Sequence, residues 1–244
     1  MDPAGQPEVV FVPGFMQRAD AWRPVADRLA TRYRSTCLDH RAQTFTGRVD
    51  EIHERAPAGA VVAGYSMGGR LALHAALRRP RAFGALVLVG VSAGIEDEQL
   101  REERRAADER LAAWMEESTI EEIVERWEDL AVFATQSPEL RDQLRPGRLS
   151  QDPAGLASLL RTAGQGTLPP VWDRIEELSC PLLAVAGEAD DAYVEPAYRL
   201  AALARHGAAR LVPAAGHAPH LEQPDGFARI LAAFLEERVT GPPK

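Results

Sequence analysis

The chain has two cysteines, no surplus of positive charge, no long apolar run and no internal repeat. Cys37 and Cys180 each fall in or beside an expected strand, so each reads as a buried thiol that suits a reducing compartment. A cytoplasmic location is the expectation. The formal net charge of −8 counts against nucleic acid or an anionic membrane surface as a partner. Nothing approaches the roughly 18 consecutive apolar residues that a spanning helix needs, and no basic segment leads into an apolar one at the start. Membrane insertion is therefore not expected. Apart from His217 and His220, no His or Cys pair has ligand spacing, so neither a metal nor a cofactor is expected. Oligomeric state leaves no trace in the sequence. At 244 residues, 45% hydrophobic and 26% charged, the chain can bury the core of one α/β domain, with or without a lid.

What is present alternates. VVFV (9–12), YRSTCLDH (33–40), GAVVAGY (59–65) and ALVLVGV (85–91) read as strands, with helices expected over 18–32, near 47–56 and over 67–79. Such runs, apolar on both faces, belong to a mostly parallel sheet flanked by helices. Residues 96–164 change texture and carry Glu, Arg, Leu and Ala at helical spacing with no strand-like run. The expected organisation is a core of residues 1–94 and 170–244 with a helical cap inserted at 95–169. Strands resume at PLLAVAGE (181–188) and ARLVPAAG (209–216), separated by a helix near 192–206, and a helix over 226–239 closes the chain. The tail TGPPK (240–244) is expected to fray.

Two segments fit G-x-S-x-G: GYSMGG at 64–69 and GVSAG at 90–94. The pattern marks a sharp strand-to-helix turn that lifts a serine hydroxyl above a parallel sheet. Ser66 precedes a helix whose inner face is Leu71, Ala72, Ala75 and Ala76, as a helix packed behind a central strand requires. Ser92 precedes a charged stretch from Glu96 to Arg105 and reads as a strand-end loop serine. Ser66 is therefore the candidate nucleophile. The acid and the histidine should follow in that order, each after a strand. Asp190 is preferred to Asp191, and His217, directly after Gly216, to His220. The oxyanion hole would take the N–H of Met67 and, from the loop Pro13-Gly14-Phe15-Met16, that of Phe15. His40, His53, His74 and His206 read as surface or helix residues.

The order V-x-G-F, G-Y-S-M-G-G, G-E-x-D and G-H resembles the α/β-hydrolase superfamily over nearly the whole chain. Within it, Gly64 to Arg70 and the cap run through Arg104, Trp127, AVFA (131–134) and Arg148 are similar to the 2-succinyl-6-hydroxy-2,4-cyclohexadiene-1-carboxylate (SHCHC) synthases of menaquinone biosynthesis. That resemblance implies an α/β-hydrolase fold that runs a lyase reaction. Pyruvate is expelled from 2-succinyl-5-enolpyruvyl-6-hydroxy-3-cyclohexene-1-carboxylate after proton abstraction. It implies Ser66 as the base, His217 tuning it and Asp190 holding His217. Arg70, Arg104 and Arg148 would receive substrate carboxylates, and Tyr65 and Trp127 would line the pocket. A small anionic carboxylate is thus the implied partner, and local arginine forks must offset the negative net charge. Arg101, Arg104 and Arg105 also lie among glutamates at ion-pair spacing, which a solvated face would explain equally. The chain departs from its relatives at Pro13, where many carry a histidine, and over 39–44, which reads DHRAQT. A carboxylesterase or carbon–carbon bond hydrolase acting through an acyl-Ser66 intermediate is the alternative, since it would use the same three residues.

Overall fold

The computed structural model describes residues 7–238. Val239 and the tail at 240–244, assigned above to a helix end and a frayed terminus, lie outside those residues. Six strands form one sheet: β1 (Glu8–Val12), β2 (Arg34–Cys37), β3 (Val61–Tyr65), β4 (Ala85–Val89), β5 (Leu182–Gly187) and β6 (Gly207–Val212). Their order is β2-β1-β3-β4-β5-β6, and every neighbouring pair is parallel. The chain leaves β1 toward one edge and returns on its other side as β3, so the strand order reverses between them. The register Val12↔Gly64 brings the two exits together, which makes the crevice where open α/β sheets bind their ligands.

Apolar residues on both faces explain the layers. Val10, Val62, Leu86 and Leu182 point to one side, where α2 (Phe45–Arg55) and α3 (Met67–Arg78) cover them. Phe11, Val61, Val87 and Leu183 point to the other, against α1 (Arg23–Leu29) and α10 (Pro224–Arg238). Four helices lie between β4 and β5: α4 (Glu98–Glu117), α5 (Ile120–Glu128), α6 (Pro138–Leu149) and α7 (Pro153–Ala163). Each begins at a side chain that accepts from a backbone amide of the first turn, namely Asp97, Thr119, Ser137 and Asp152. Such caps satisfy otherwise orphaned donors and are worth about 1 kcal/mol each. Ala112, Met115, Ile123, Leu156 and Leu160 from these helices join the apolar cluster on the α3 side of the sheet. The remaining helices are α8 (Asp191–Leu203) and the short α9 (Pro219–Glu222). Among the described residues no helix is long and apolar enough to cross a membrane.

Several sequence expectations are corrected. The strand expected over 33–40 is ladder-paired only over Arg34–Cys37, because the chain then turns away to meet α2. The helix expected over 18–32 opens as a 3-10 turn at Ala19–Trp22, and α1 starts at Arg23, with Pro24 in its first turn. The strand expected over 209–216 runs instead over Gly207–Val212, and Ala214 beyond it takes a positive φ of 54°. Cys37 is half-buried, since β2 is an edge strand, whereas Cys180 is buried. His40 is neither at the surface nor in a helix: its ring is inside the loop after β2, with Nδ1 2.7 Å from Glu51 Oε2.

Candidate active site

The elbow follows from glycine placement. Ser66 sits between β3 and α3 at φ 50°, ψ −116°, a conformation disfavoured for a residue with a Cβ. A Cβ on Gly68 would come within 2.2 Å of the Pro13 carbonyl oxygen. Glycine there lets α3 start against the loop after β1, so Ser66 projects above the sheet instead of being pushed from it. Its amide donates to Val89 O at 2.8 Å, which ties the strained turn to the next strand.

His217 and Asp190 arrive from the ends of β6 and β5. His217 Nε2 is 3.2 Å from Ser66 Oγ, and His217 Nδ1 is 2.8 Å from Asp190 Oδ2. A carboxylate beside Nδ1 fixes the proton there, which leaves the Nε2 lone pair toward the hydroxyl. This chain can take the serine proton. Glu222 holds the loop in place: its carboxylate accepts from the Gly216 amide at 2.7 Å and the Ala218 amide at 3.0 Å, on either side of His217. Gly90, at φ 60°, leaves room for the imidazole, since a Cβ there would lie 2.9 Å from His217 Cε1. Asp191 and His220 stay out of the chain. The His220 ring is fully buried, stacked on Trp22 at 4.1 Å and tilted against Tyr65 at 4.5 Å, with neither nitrogen partnered. Burial pulls its pKa down to about 3. Among the described residues Ser92 bonds only to its own turn, at Gly94.

Aromatic rings enclose the imidazole. Tyr193 lies 4.6 Å from it, Tyr65 5.2 Å and Phe133 6.4 Å, between ring centroids. Trp127 bridges from the helices above to the loop below, 5.4 Å from Phe133 and 5.2 Å from Phe15. Burial raises the Tyr65 phenol well above its ordinary pKa. Phe15 and Met67 are both buried, and Met16 takes a positive φ of 61°, which turns the chain sharply after Phe15. First-turn amides have no partner inside a helix, so the Met67 N–H at the start of α3 faces the space in front of it. Tyr193, Glu222 and Phe133 carried no sequence signal beyond Phe133 lying in the AVFA stretch.

The three arginines differ in their partners. Arg70, one turn after Ser66, is 8% exposed; one terminal nitrogen donates to Ala163 O at 3.3 Å, and Nε has no partner. No carboxylate salt-bridges it among the described residues, and desolvation lowers its pKa. Arg148, also buried, donates to Glu128 at 2.8 Å and Gln136 at 3.3 Å. Arg104 is half-exposed, and Nε donates to Asp108 at 2.8 Å. Asp108 and Glu128, both missed in the sequence, are thus the internal counter-ions of two expected anion binders. Among the described residues no group of three or more His, Cys, Asp or Glu is placed to hold a metal ion.

A family model described as the alpha/beta hydrolase family matches residues 9–230. The chain belongs to that family. Over 175 residues it is 35% identical to a Bacillus subtilis (strain 168) relative, a stretch of 70% of this chain that spans 64% of the relative's length. Over 253 residues it is 28% identical to the 2-succinyl-6-hydroxy-2,4-cyclohexadiene-1-carboxylate synthase of Yersinia pseudotuberculosis serotype O:3 (strain YPIII), covering 97% of this chain and 90% of that one. Among solved structures, MenH from S. aureus is similar at 29% identity with a TM-score of 0.84, over 95% of this chain and 94% of that chain.

Proposed function

We propose that this α/β hydrolase is a lyase of menaquinone biosynthesis. It eliminates pyruvate from 2-succinyl-5-enolpyruvyl-6-hydroxy-3-cyclohexene-1-carboxylate to give SHCHC, in the cytoplasm, with residues 95–169 acting as a cap over a core of 1–94 and 170–244. Ser66 Oγ takes the ring proton while its own proton moves to His217 Nε2. Electron pairs shift through the ring, the bond from ring carbon to enol oxygen breaks, and the departing enolpyruvate takes up a proton at its methylene carbon and becomes pyruvate, balanced by the proton that His217 gives back. Asp190 holds the imidazole in the tautomer that can receive the proton. The N–H groups of Phe15 and Met67 stabilise the negative charge that builds on the substrate, a contribution on the order of 10²–10³ in rate for one such donor.

The observation that carries this reading is Arg70. A buried guanidinium without a carboxylate partner, one helical turn from the candidate base, is costly to keep. An anionic substrate supplies the missing charge. An ester hydrolase has no such need. Arg104 and Arg148 would add their forks by exchanging Asp108 and Glu128 for substrate carboxylates, and Tyr65 and Trp127 would wall the ring. The synthase name of the Yersinia relative supports the same substrate.

A paired assay tests it. The purified protein is offered the enolpyruvyl substrate, followed by pyruvate release, and separately a panel of p-nitrophenyl esters; both are repeated with Arg70→Met. Pyruvate release with negligible ester cleavage is expected. Arg70→Met should lower kcat/KM for pyruvate release by about 10²-fold, the loss of a charge-assisted bidentate contact. Efficient ester turnover without pyruvate would make the chain an acyl-Ser66 hydrolase instead.

A further inference from the structure

The loop after β2 closes over a cavity of about 100 Å³ that the proposed mechanism leaves unused. Its walls include Pro13 and Gln17 from the first loop, His40 and Gln43 from the second, Arg48 from α2, and Gln151 ahead of α7. Arg48 is 9% exposed, and among the described residues its one side-chain hydrogen bond runs from Nε to Ala42 O at 2.9 Å. Among the described residues no carboxylate salt-bridges it. Burial pulls its pKa down to about 10, so it stays a cation at neutral pH. Its terminal N–H groups make no hydrogen bond among the described residues and are free to take an anion.

Glu51 and Asp39 are near enough to favour the Arg48 charge, yet each is bonded elsewhere. Asp39 is taken by Arg18 at 2.5 Å, and Asp152 caps α7 through the Gly155 amide at 2.8 Å. Glu51 is bonded by His40 and by the amides of Arg41 and Ala42. His40 Nε2 is buried without a partner. With Nδ1 donating to Glu51, Nε2 is an acceptor. The cavity thus offers the Arg48 fork and one neutral acceptor, beside an Arg18–Asp39 pair and the Asp152 carboxylate that caps α7.

Size and position narrow the occupant. At about 100 Å³ the cavity is a small one, large enough for a carboxyl group and the chain that carries it. In the strand order, β2 lies two places from β3, roughly 10 Å at the usual strand spacing. Pro13, on the cavity wall, is also the residue whose carbonyl meets Gly68 beside Ser66. We infer that this cavity is a carboxylate subsite in which Arg48 grips the end of a flexible side arm of a substrate whose reacting centre is at Ser66. On the proposed function, on which this identification of the arm rests, the arm is the succinyl side chain. His40 Nε2 then accepts from a water or hydroxyl beside the carboxylate.

Calorimetric titration of succinate into the wild-type, Arg48→Met, Arg48→Lys and Arg70→Met proteins tests the subsite without relying on turnover. Succinate should bind the wild type, weaken at least about ten-fold in Arg48→Met, and fall between the two in Arg48→Lys, where charge remains but the fork is lost. In pyruvate release, Arg48→Met should raise KM about ten-fold or more with kcat nearly unchanged, the signature of binding that is uniform along the reaction. Melting of Arg48→Met should be at or above that of the wild type, because a largely buried charge held by no salt bridge is removed. Unsaturable succinate binding to the wild type would overturn the inference. So would affinity unchanged in Arg48→Met, affinity lost only in Arg70→Met, or collapse of melting in both Arg48 variants. Absence of pyruvate release would instead sink the proposed function and leave the succinate titration to decide the subsite alone.

Discussion

Pyruvate release by Ser66→Ala or His217→Ala protein is expected to fall by roughly 10⁴–10⁶-fold, the range seen when one member of such a unit is removed. The hydroxyl and the imidazole are 3.2 Å apart and share one proton path. Taking away either end stops that path, so the double variant should be no slower than the worse single variant by more than a few-fold. Asp190→Asn should cost about 10⁴-fold for a different reason. The carboxamide can still bond His217 Nδ1, at the 2.8 Å now seen, but its NH₂ favours the tautomer with the proton on Nε2, which cannot accept from Ser66. Single-turnover pyruvate release on all four proteins is the measurement. Independent, multiplicative losses for Ser66 and His217, or a Ser66→Ala protein keeping a tenth of the activity, would remove Ser66 from the chemistry.

The second large effect is on folding. Stability should drop steeply as pH falls from about 6.5 toward 4. His220 and His40 are both buried, and desolvation, the largest cause in each case, pulls their pKa values down to about 3 and about 4. An unfolded histidine titrates near 6.5. Between these values the unfolded chain binds protons that the folded chain refuses, so the unfolded state gains as pH falls. Each such histidine contributes up to about 1.4 kcal/mol per pH unit, or on the order of 2 kcal/mol by pH 5. Together they would cost on the order of 4 kcal/mol, a large share of the 5–15 kcal/mol typical of a folded domain. His74, partly buried and also lowered to about 4, acts in the same direction. Urea unfolding at pH 7.5 and pH 5 checks this. His220→Phe should keep the ring stack on Trp22 and flatten the pH dependence by about half of the combined effect. A pH profile identical to that of the wild type would mean that His220 is not the neutral buried group described here.

The legibility of the site followed the range of each interaction. Ser66 could be chosen over Ser92 because the helix after it is apolar and small on one face, and the one after Ser92 is charged. That is local information. Asp190 and His217 could be ranked over Asp191 and His220 by spacing from glycines, but only the loops tied by Glu222 and opened at Gly90 show which groups meet. The fate of the arginines was not legible. Ion-pair spacing on α4 fits both a solvated face and a ligand clamp, and the structure shows Arg104 and Arg148 already paired while Arg70 is not. The burial of His40 is not legible in the sequence, because a polar residue in a polar loop carries no sign of it.

Local signals along the chain specify the layered parallel sheet, the elbow at Ser66 and the helical block between β4 and β5. Periodicity and glycine placement act within a few positions of one another, so they can be read along the chain. Tertiary structure alone decided which charges are compensated. Among the described residues Arg70 and Arg48 have no carboxylate salt bridge and Arg148 has one, because the packing of α5 on α6 brings Glu128 to Arg148 and no element brings an acid to the other two. In a low-dielectric interior that delivery, more than the residue type, decides whether a guanidinium is a structural ion pair or a place for an anion to bind.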